Sequence, residues 1–378
     1  MVLSHADAKF GDSLYGGSNY LCNVDPAFFL RHLDLVHSST ERGYFTSPSL
    51  PSSNANILGL RIPTIGYRQF DKDITQKEIE ELRWVASARM KEYRDNLERE
   101  RNIETGDSIV RSFVVYDQEY YSIEQDLSIS VNMLGKGWIE IALKTAHIAS
   151  KPGIGAGRFP QSGSLIHTHY GRFLDLNTSM SDLFYSLGEL FSFFANSETQ
   201  FLNMTGQKIA MEMHKLIDDK NQLTAEEGIH DLTLSNLLYN LSIIDRHIAR
   251  LKDCVSILKT NGGSRRPKAS DDKQKAKALS TRVTLLEDFQ YPLDKAINLS
   301  QTCERGMGIA GNNKIVAESR TAIGQVKRMS KLTLLASFFV PASFTTSLFG
   351  MNFQQFGSGS LNIWFRFMLI LRGLPQML

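Results

Sequence analysis

Three groups of residues have the types and spacing to do chemistry. His167 and His169 stand two apart, so both fall on one side if they sit on a strand. Two imidazoles are half of a zinc site, no third ligand accompanies them, and the plainer reading is ordinary surface or core residues. Residues 151–163, KPGIGAGRFPQSG, are rich in glycine. A phosphate cradle needs a helix that starts at such a loop and aims its amides at the anion. Pro160 stands where that helix should run, and no Lys-Ser or Lys-Thr follows, so the segment reads as a connection. The third group is Gly350-Met351-Asn352. Its chemistry is a neutral amide oxygen, which attracts a cation without trapping it. Taken alone, Gly350 and Asn352 serve equally well as helix caps. No set of nucleophile, base and orienting group stands out, and nothing points to an enzyme.

The element that must position Asn352 is the run before it. From Leu332 to Phe349 there are 18 residues without a charge. A helix of that length covers ~27 Å of a ~30 Å hydrocarbon core, so 332–349 is a candidate membrane span. Lys327, Arg328 and Lys331 stand immediately before it, and no charge follows until Arg366. By the positive-inside rule the long N-terminal part faces the cytoplasm and the chain is an integral membrane protein. Pro341 removes one backbone hydrogen bond inside the run, a loss that neighbouring helices or hydroxyls absorb in a membrane.

The stretch ESRTAIGQVKRMSKLTLLASFFVPASFTTSLFGMNF, followed by GSGSLNIW, resembles the CorA family of magnesium transporters, in its fungal CorA-like branch. The resemblance is sharp from about Leu279 to Trp364. It implies passive flux of a divalent cation, magnesium being the transported ion rather than a cofactor. It implies a homopentamer in the bilayer, with Gly350, Met351 and Asn352 as selectivity filter and a ring of Asn352 amides meeting the hydrated metal. Magnesium holds its water tightly, so neutral oxygens suit it better than a stripping site. Gly350 permits a tight turn out of the helix. Below the mouth, steps of three and four mark one helix face: Ser347, Ser343, Val340, Ala336, Leu332 and Met329. If that face lines the pore, it is small and polar outside and apolar inside, and Leu332 with Met329 can gate by dewetting. Thr333 and Ser337 lie on an adjacent face.

The chain also departs from the family pattern. The second span falls on 361–378, which contains Asn362, Arg366, Arg372 and Pro375. An Arg near a helix centre costs ~2.5–3.5 kcal/mol on insertion scales. The connecting loop 353–360 has no acidic residue, and the C-terminus reads as truncated or altered. The alternative is therefore a transport-inactive, C-terminally anchored CorA-like protein that acts through its cytosolic domain.

The rest of the chain reads as an α+β cytosolic domain followed by a long stalk helix and C-terminal membrane helices, mainly α overall. Residues 1–60 form a loop-rich extension, with a short capped helix from Asp25 to Leu30. Residues 61–230 are a mixed α/β domain, 231–330 a helical hairpin and stalk, and 331–378 the membrane region. Strands are expected over Ile57–Ile65, Ile109–Tyr116, Leu127–Met133 and Trp138–Leu143. Helices are expected over Ile74–Arg101, Met180–Ile217 and Leu232–Leu258, then from Leu279 to Phe349 with an interruption at Pro292. Residues 261–277 read as a solvated hairpin tip, since a nucleic-acid arm would carry aromatic partners. The net charge of +2 in 378 residues excludes a general nucleic-acid surface. Cys22, Cys254 and Cys303 are too few and too far apart for a disulfide frame. The N-terminus lacks the basic start and apolar core of a signal peptide.

Overall fold

A computed structural model describes residues 2–5, 57–68, 74–100, 110–134, 137–144, 171, 174–218, 229–260 and 268–352. The expected helix at Asp25–Leu30, the glycine-rich segment 151–163, His167, His169 and the second span 361–378 lie outside the described residues. The chain divides into two units, Met1–Met307 and Gly308–Leu378. Its architecture is α+β in order and mainly helical, a five-stranded sheet preceding most of the helix.

The sheet is built on one long strand. β1 is Val2–His5, β2 Ile57–Tyr67, β3 Val110–Val115, β4 Tyr120–Leu134 and β5 Gly137–Lys144. Antiparallel β2 pairs along β4 from Ile57↔Ser130 to Tyr67↔Tyr120. The other edge of β4 is shared in succession by β3, at Val110 to Val115, and by β5, both antiparallel. β1 adds to β5 in parallel. β4 begins seven residues before the expected Leu127. Its start is set by Asp117, whose Oδ1 accepts from the amides of Glu119 and Tyr120, both at 2.8 Å, and so closes the β3–β4 turn.

Alternation along β4 gives the sheet two unlike faces. Tyr121, Ile123, Leu127, Ile129 and Val131 are buried on one, joined across the ladder by Leu58, Leu60 and Ile62. Ser122, Glu124 and Ser130 are buried on the other. Helix α1, Gln76–Glu100, covers the apolar face, with Met90 against Tyr121 and Ile123. It starts at a capping box: the Thr75 amide donates to Glu78 Oε2 at 2.6 Å and the Glu78 amide to Thr75 Oγ1 at 3.4 Å. Gly66 lies under the Tyr121 ring, where a Cβ would come within 2.2 Å of it, so only glycine fits.

The single helix expected over Met180–Ile217 is three: α2 Leu176–Ser181, α3 Leu183–Ser186 and α4 Gly188–Asp218. Asp182 causes the first break. Its backbone is extended, at φ −135° and ψ 124°, and its Oδ1 accepts from the Tyr185 amide at 3.0 Å. A short acidic side chain that competes for a backbone donor favours a cap over a helix interior. α5 is Ile229–Lys259 and α6 Asp272–Asn352. α6 thus starts inside the expected polar tip and runs through Pro292 without interruption. Pro292 forfeits one hydrogen bond, but Phe289, Leu293 and Ala296 around it are buried, and that packing holds the helix.

Buried residues recur every seven on two of these helices. On α5 they are Leu237, Ile244, Leu251 and Leu258, and on α6 Phe289, Ala296, Cys303 and Ala310. Sevenfold recurrence is the signature of long side-by-side helix packing. α4 and α6 run parallel, since Phe194 stacks on Phe289 and a Cβ on Gly206 would touch Leu299. α5 runs against them: Asp245 accepts from Ser300 Oγ at 3.2 Å, while Leu237 lies against Gly306.

Candidate functional site

From Ile315 onward α6 is uncovered, and from Leu332 onward it carries no charge. Ile315, Val316, Ile323, Val326, Leu334, Leu335, Phe338, Phe339 and Phe344 are all exposed. The six residues of the predicted face are exposed too, Met329 at 67%, Leu332 at 64% and Val340 at 63%, with Ala336, Ser343 and Ser347 beside them. At 100° per residue these six fall within about 80° of the helix circumference. The hydroxyls bond back to their own helix. Ser343 Oγ donates to the Val340 carbonyl at 2.9 Å, Ser337 Oγ to Leu334 at 2.7 Å and Thr333 Oγ1 to Met329 at 2.9 Å. Each donor is thereby used locally, which leaves oxygen lone pairs free to face a cation.

The predicted exit turn at Gly350 is not where the helix ends. Gly350, Met351 and Asn352 are the last residues of α6. In a continuous helix Asn352 stands five residues past Ser347, about 140° around the axis from it. The backbone therefore places Asn352 in register with Leu348, Thr345 and Pro341, and not with the Met329–Ser347 face. Among the described residues no helix is long and apolar enough to cross a membrane. Leu348 and Phe349, which complete the predicted span, lie outside the residues whose side chains are described.

Residues 181–377 match the family of CorA-like Mg2+ transporter proteins. The chain belongs to that family. The match starts near α3 and covers α4, α5 and α6, so it takes in the buried bundle as well as the uncovered helix. No curated protein matches the chain. Members of this family are transporters rather than enzymes, and they are membrane-associated.

The CorA-like chain holds a second polar assembly that no local motif announced. Glu124, 2% exposed on β4, takes both arms of the Arg250 guanidinium at 2.9 Å. Arg61 lies at 3.8 Å and His247 Nε2 at 3.6 Å. His247 Nδ1 is 2.8 Å from Glu198 Oε2, and the Phe201 ring stacks on the imidazole at 4.1 Å. Burial pushes the Glu124 carboxyl up, but Arg250, His247 and Arg61 outweigh it and bring it down to about 2. These groups belong to a polar seam between α4 and α5. Glu198, Thr205 and Glu212 recur every seven on α4, and Thr233, Asn236, Asn240 and His247 follow on α5, all buried. The signal was present in sequence as polar residues at helical spacing beside an apolar stripe. Asn240, one of four glycosylation sequons with Asn177, Asn203 and Asn298, is buried in this seam.

Beside the seam is a cavity of about 390 Å³ lined by α1, the β3–β4 turn, α4 and α5. Arg83 crosses its wall, donating to the Val115 carbonyl at 3.1 Å, the Tyr116 carbonyl at 2.8 Å and Asn236 Oδ1 at 2.7 Å, and lies 4.2 Å over the Tyr239 ring. Burial lowers the affinity of Arg83 for its proton. The two described cysteines offer no nucleophile, since burial pushes the Cys254 thiol up to about 12 and Cys303 up to about 11. Among the described residues no group of three or more His, Cys, Asp or Glu could hold a metal ion.

Proposed function

We propose that this chain is a CorA-type channel or transporter for a divalent cation, magnesium first, that passes the ion down its gradient through a homopentameric pore. The carrying observation is a coincidence of place. The family match spans the charge-free run 332–349, which follows Lys327, Arg328 and Lys331 and closes with Gly350-Met351-Asn352. Five Asn352 amides at the outer mouth meet the hydrated ion with neutral oxygen, and Gly350 and Met351 shape that mouth. Ser347 and Ser343 continue it inward, and Val340, Ala336, Leu332 and Met329 form the apolar throat. The uncovered apolar surface of α6 supports this reading, because lipid and neighbouring copies would cover it. The Met1–Met307 unit then faces the cytoplasm, with 332–349 and 361–378 as the two spans.

The helix register leaves two faces for the pore, that of Met329–Ser347 and that of Asn352, Thr345 and Pro341. A local unwinding of the last turn brings Asn352 onto the first face. Arg366 and Arg372 favour a second reading, a membrane-anchored member that no longer transports. Flux into proteoliposomes separates the two. Magnesium uptake that Asn352→Ala reduces at least tenfold supports the transporter. No uptake from a correctly inserted pentamer selects the anchored form.

A further inference from the structure

We propose that the cavity between α1 and the α4–α5 seam binds an organic amine, an alkyl polyamine presenting primary ammonium groups. The first observation is a one-sided deficit. Glu198 Oε1, Glu212 Oε2 and Asn240 Oδ1 are buried without a hydrogen-bond partner, and all three belong to the seam. All are acceptors. A buried acceptor left unmet costs about 1–3 kcal/mol, so a group that completes the seam must bring hydrogen.

The second observation is where two of them lie. Glu212 and Asn240, 9% and 3% exposed, are on facing helices and both line the cavity. A carboxylate beside an amide oxygen suits an ammonium, which donates to both and neutralises one. Lys215 Nζ already stands 2.7 Å from Glu212 Oε1. Its side chain is 49% exposed, so it can give way to an incoming cation. Ile74, Ile79 and Met211 line the same cavity and offer apolar surface for a methylene stem. On the cavity wall Asp117 is already paired with Lys208, and Glu119 is the carboxylate that a second ammonium meets. A divalent metal fits less well, because among the described residues no group of three or more His, Cys, Asp or Glu could hold one.

The binding is separate from ion passage, since every residue it uses lies in the Met1–Met307 unit. Calorimetry on the purified full chain tests it, with spermidine as ligand and tetramethylammonium as a cation without N–H donors. The expected result is saturable spermidine binding, no heat from tetramethylammonium, and at least a tenfold loss of affinity in Glu212→Gln. Asn240→Ala should lose affinity likewise, with far-UV circular dichroism unchanged in both variants. The proposal is overturned if spermidine gives no saturable heat, if tetramethylammonium binds equally, or if neither substitution weakens binding. Displacement by magnesium at matched ionic strength also overturns it, because the site would then be a metal site.

Discussion

One helix carries two kinds of surface. Between Phe289 and Cys303, α6 buries every seventh residue. From Ile315 to Phe344 it is at least as apolar and leaves nearly everything exposed. In the first stretch α4 and α5 supply the cover; in the second the described chain supplies none. A lone helix with apolar residues all around its circumference cannot hold that surface in water without another phase or another copy of itself. The difference separates stability made within one chain from stability that must come from outside it. Substitutions in the first stretch should therefore report on folding, and those in the second, on the proposed reading, on insertion and assembly.

The largest effect belongs to the covered part. Arg250→Met leaves Glu124 buried with only Arg61 and His247 nearby. Removing one partner of a buried pair costs about 3–5 kcal/mol. Acid should reveal the same contact in the wild type. The Glu124 carboxyl is held at about 2 against an ordinary 4.5, so its contribution is present above pH 4.5 and fades as pH falls toward 2. That difference corresponds to roughly 3 kcal/mol. Thermal melting of the full chain between pH 7 and pH 2 should show the wild type losing its advantage over Arg250→Met as the pH falls below 4.5. Equal acid sensitivity in both proteins would mean that the Glu124 pair does not hold the sheet to the helices.

A charge in the uncovered part should act differently. Val340→Arg costs ~2.5–3.5 kcal/mol if its site sits in hydrocarbon. At 1.4 kcal/mol per tenfold, that is roughly a hundredfold drop in inserted protein. The melting of the Met1–Met307 unit should stay within ~0.5 kcal/mol, because Val340 makes no part of its core. Carbonate extraction of membranes from expressing cells measures the inserted fraction. Unchanged insertion would remove the membrane from the account of this stretch.

What could be read in advance followed locality. β2 and β5 came out within two residues at each end because their alternation is self-contained. α1 did so because Ile79, Leu82, Val85, Ala86 and Met90 recur at helical spacing within the segment itself. Pro292 misled, since whether a proline ends a helix depends on what buries its neighbours, and Phe194 is far away in sequence. Asp182 was passed over because Leu183, Leu187 and Leu190 keep helical phase on either side of the break. The α4–α5 seam was hidden for a related reason. Each polar residue looks ordinary alone, and only the opposed helix shows that Glu198 and His247 are partners. For the expected pore face the sequence offered residue types and spacing but not the register of Asn352. Placing Asn352 beside Ser347 needed a turn at Gly350, and α6 keeps its helix through that position.

The smallest effect probes the border between the two stretches, and its sign carries the information. A Cβ on Gly306 would come within 2.5 Å of Met213 Sδ and 2.8 Å of Leu237 Cδ1, whereas one on Gly308 meets nothing within 4 Å. Gly306→Ala should therefore destabilise the full chain by about 1–3 kcal/mol through overpacking. Gly308→Ala should stabilise it by about 1 kcal/mol, the helix-propensity gain of Ala over Gly in open space. Differential scanning calorimetry on both variants reads the pair. If Gly308→Ala instead lowers the melting temperature, the open space at that position is filled in the assembled protein. A second copy of the chain would then already press against α6 two residues beyond Gly306, and the outside cover would begin well before Ile315.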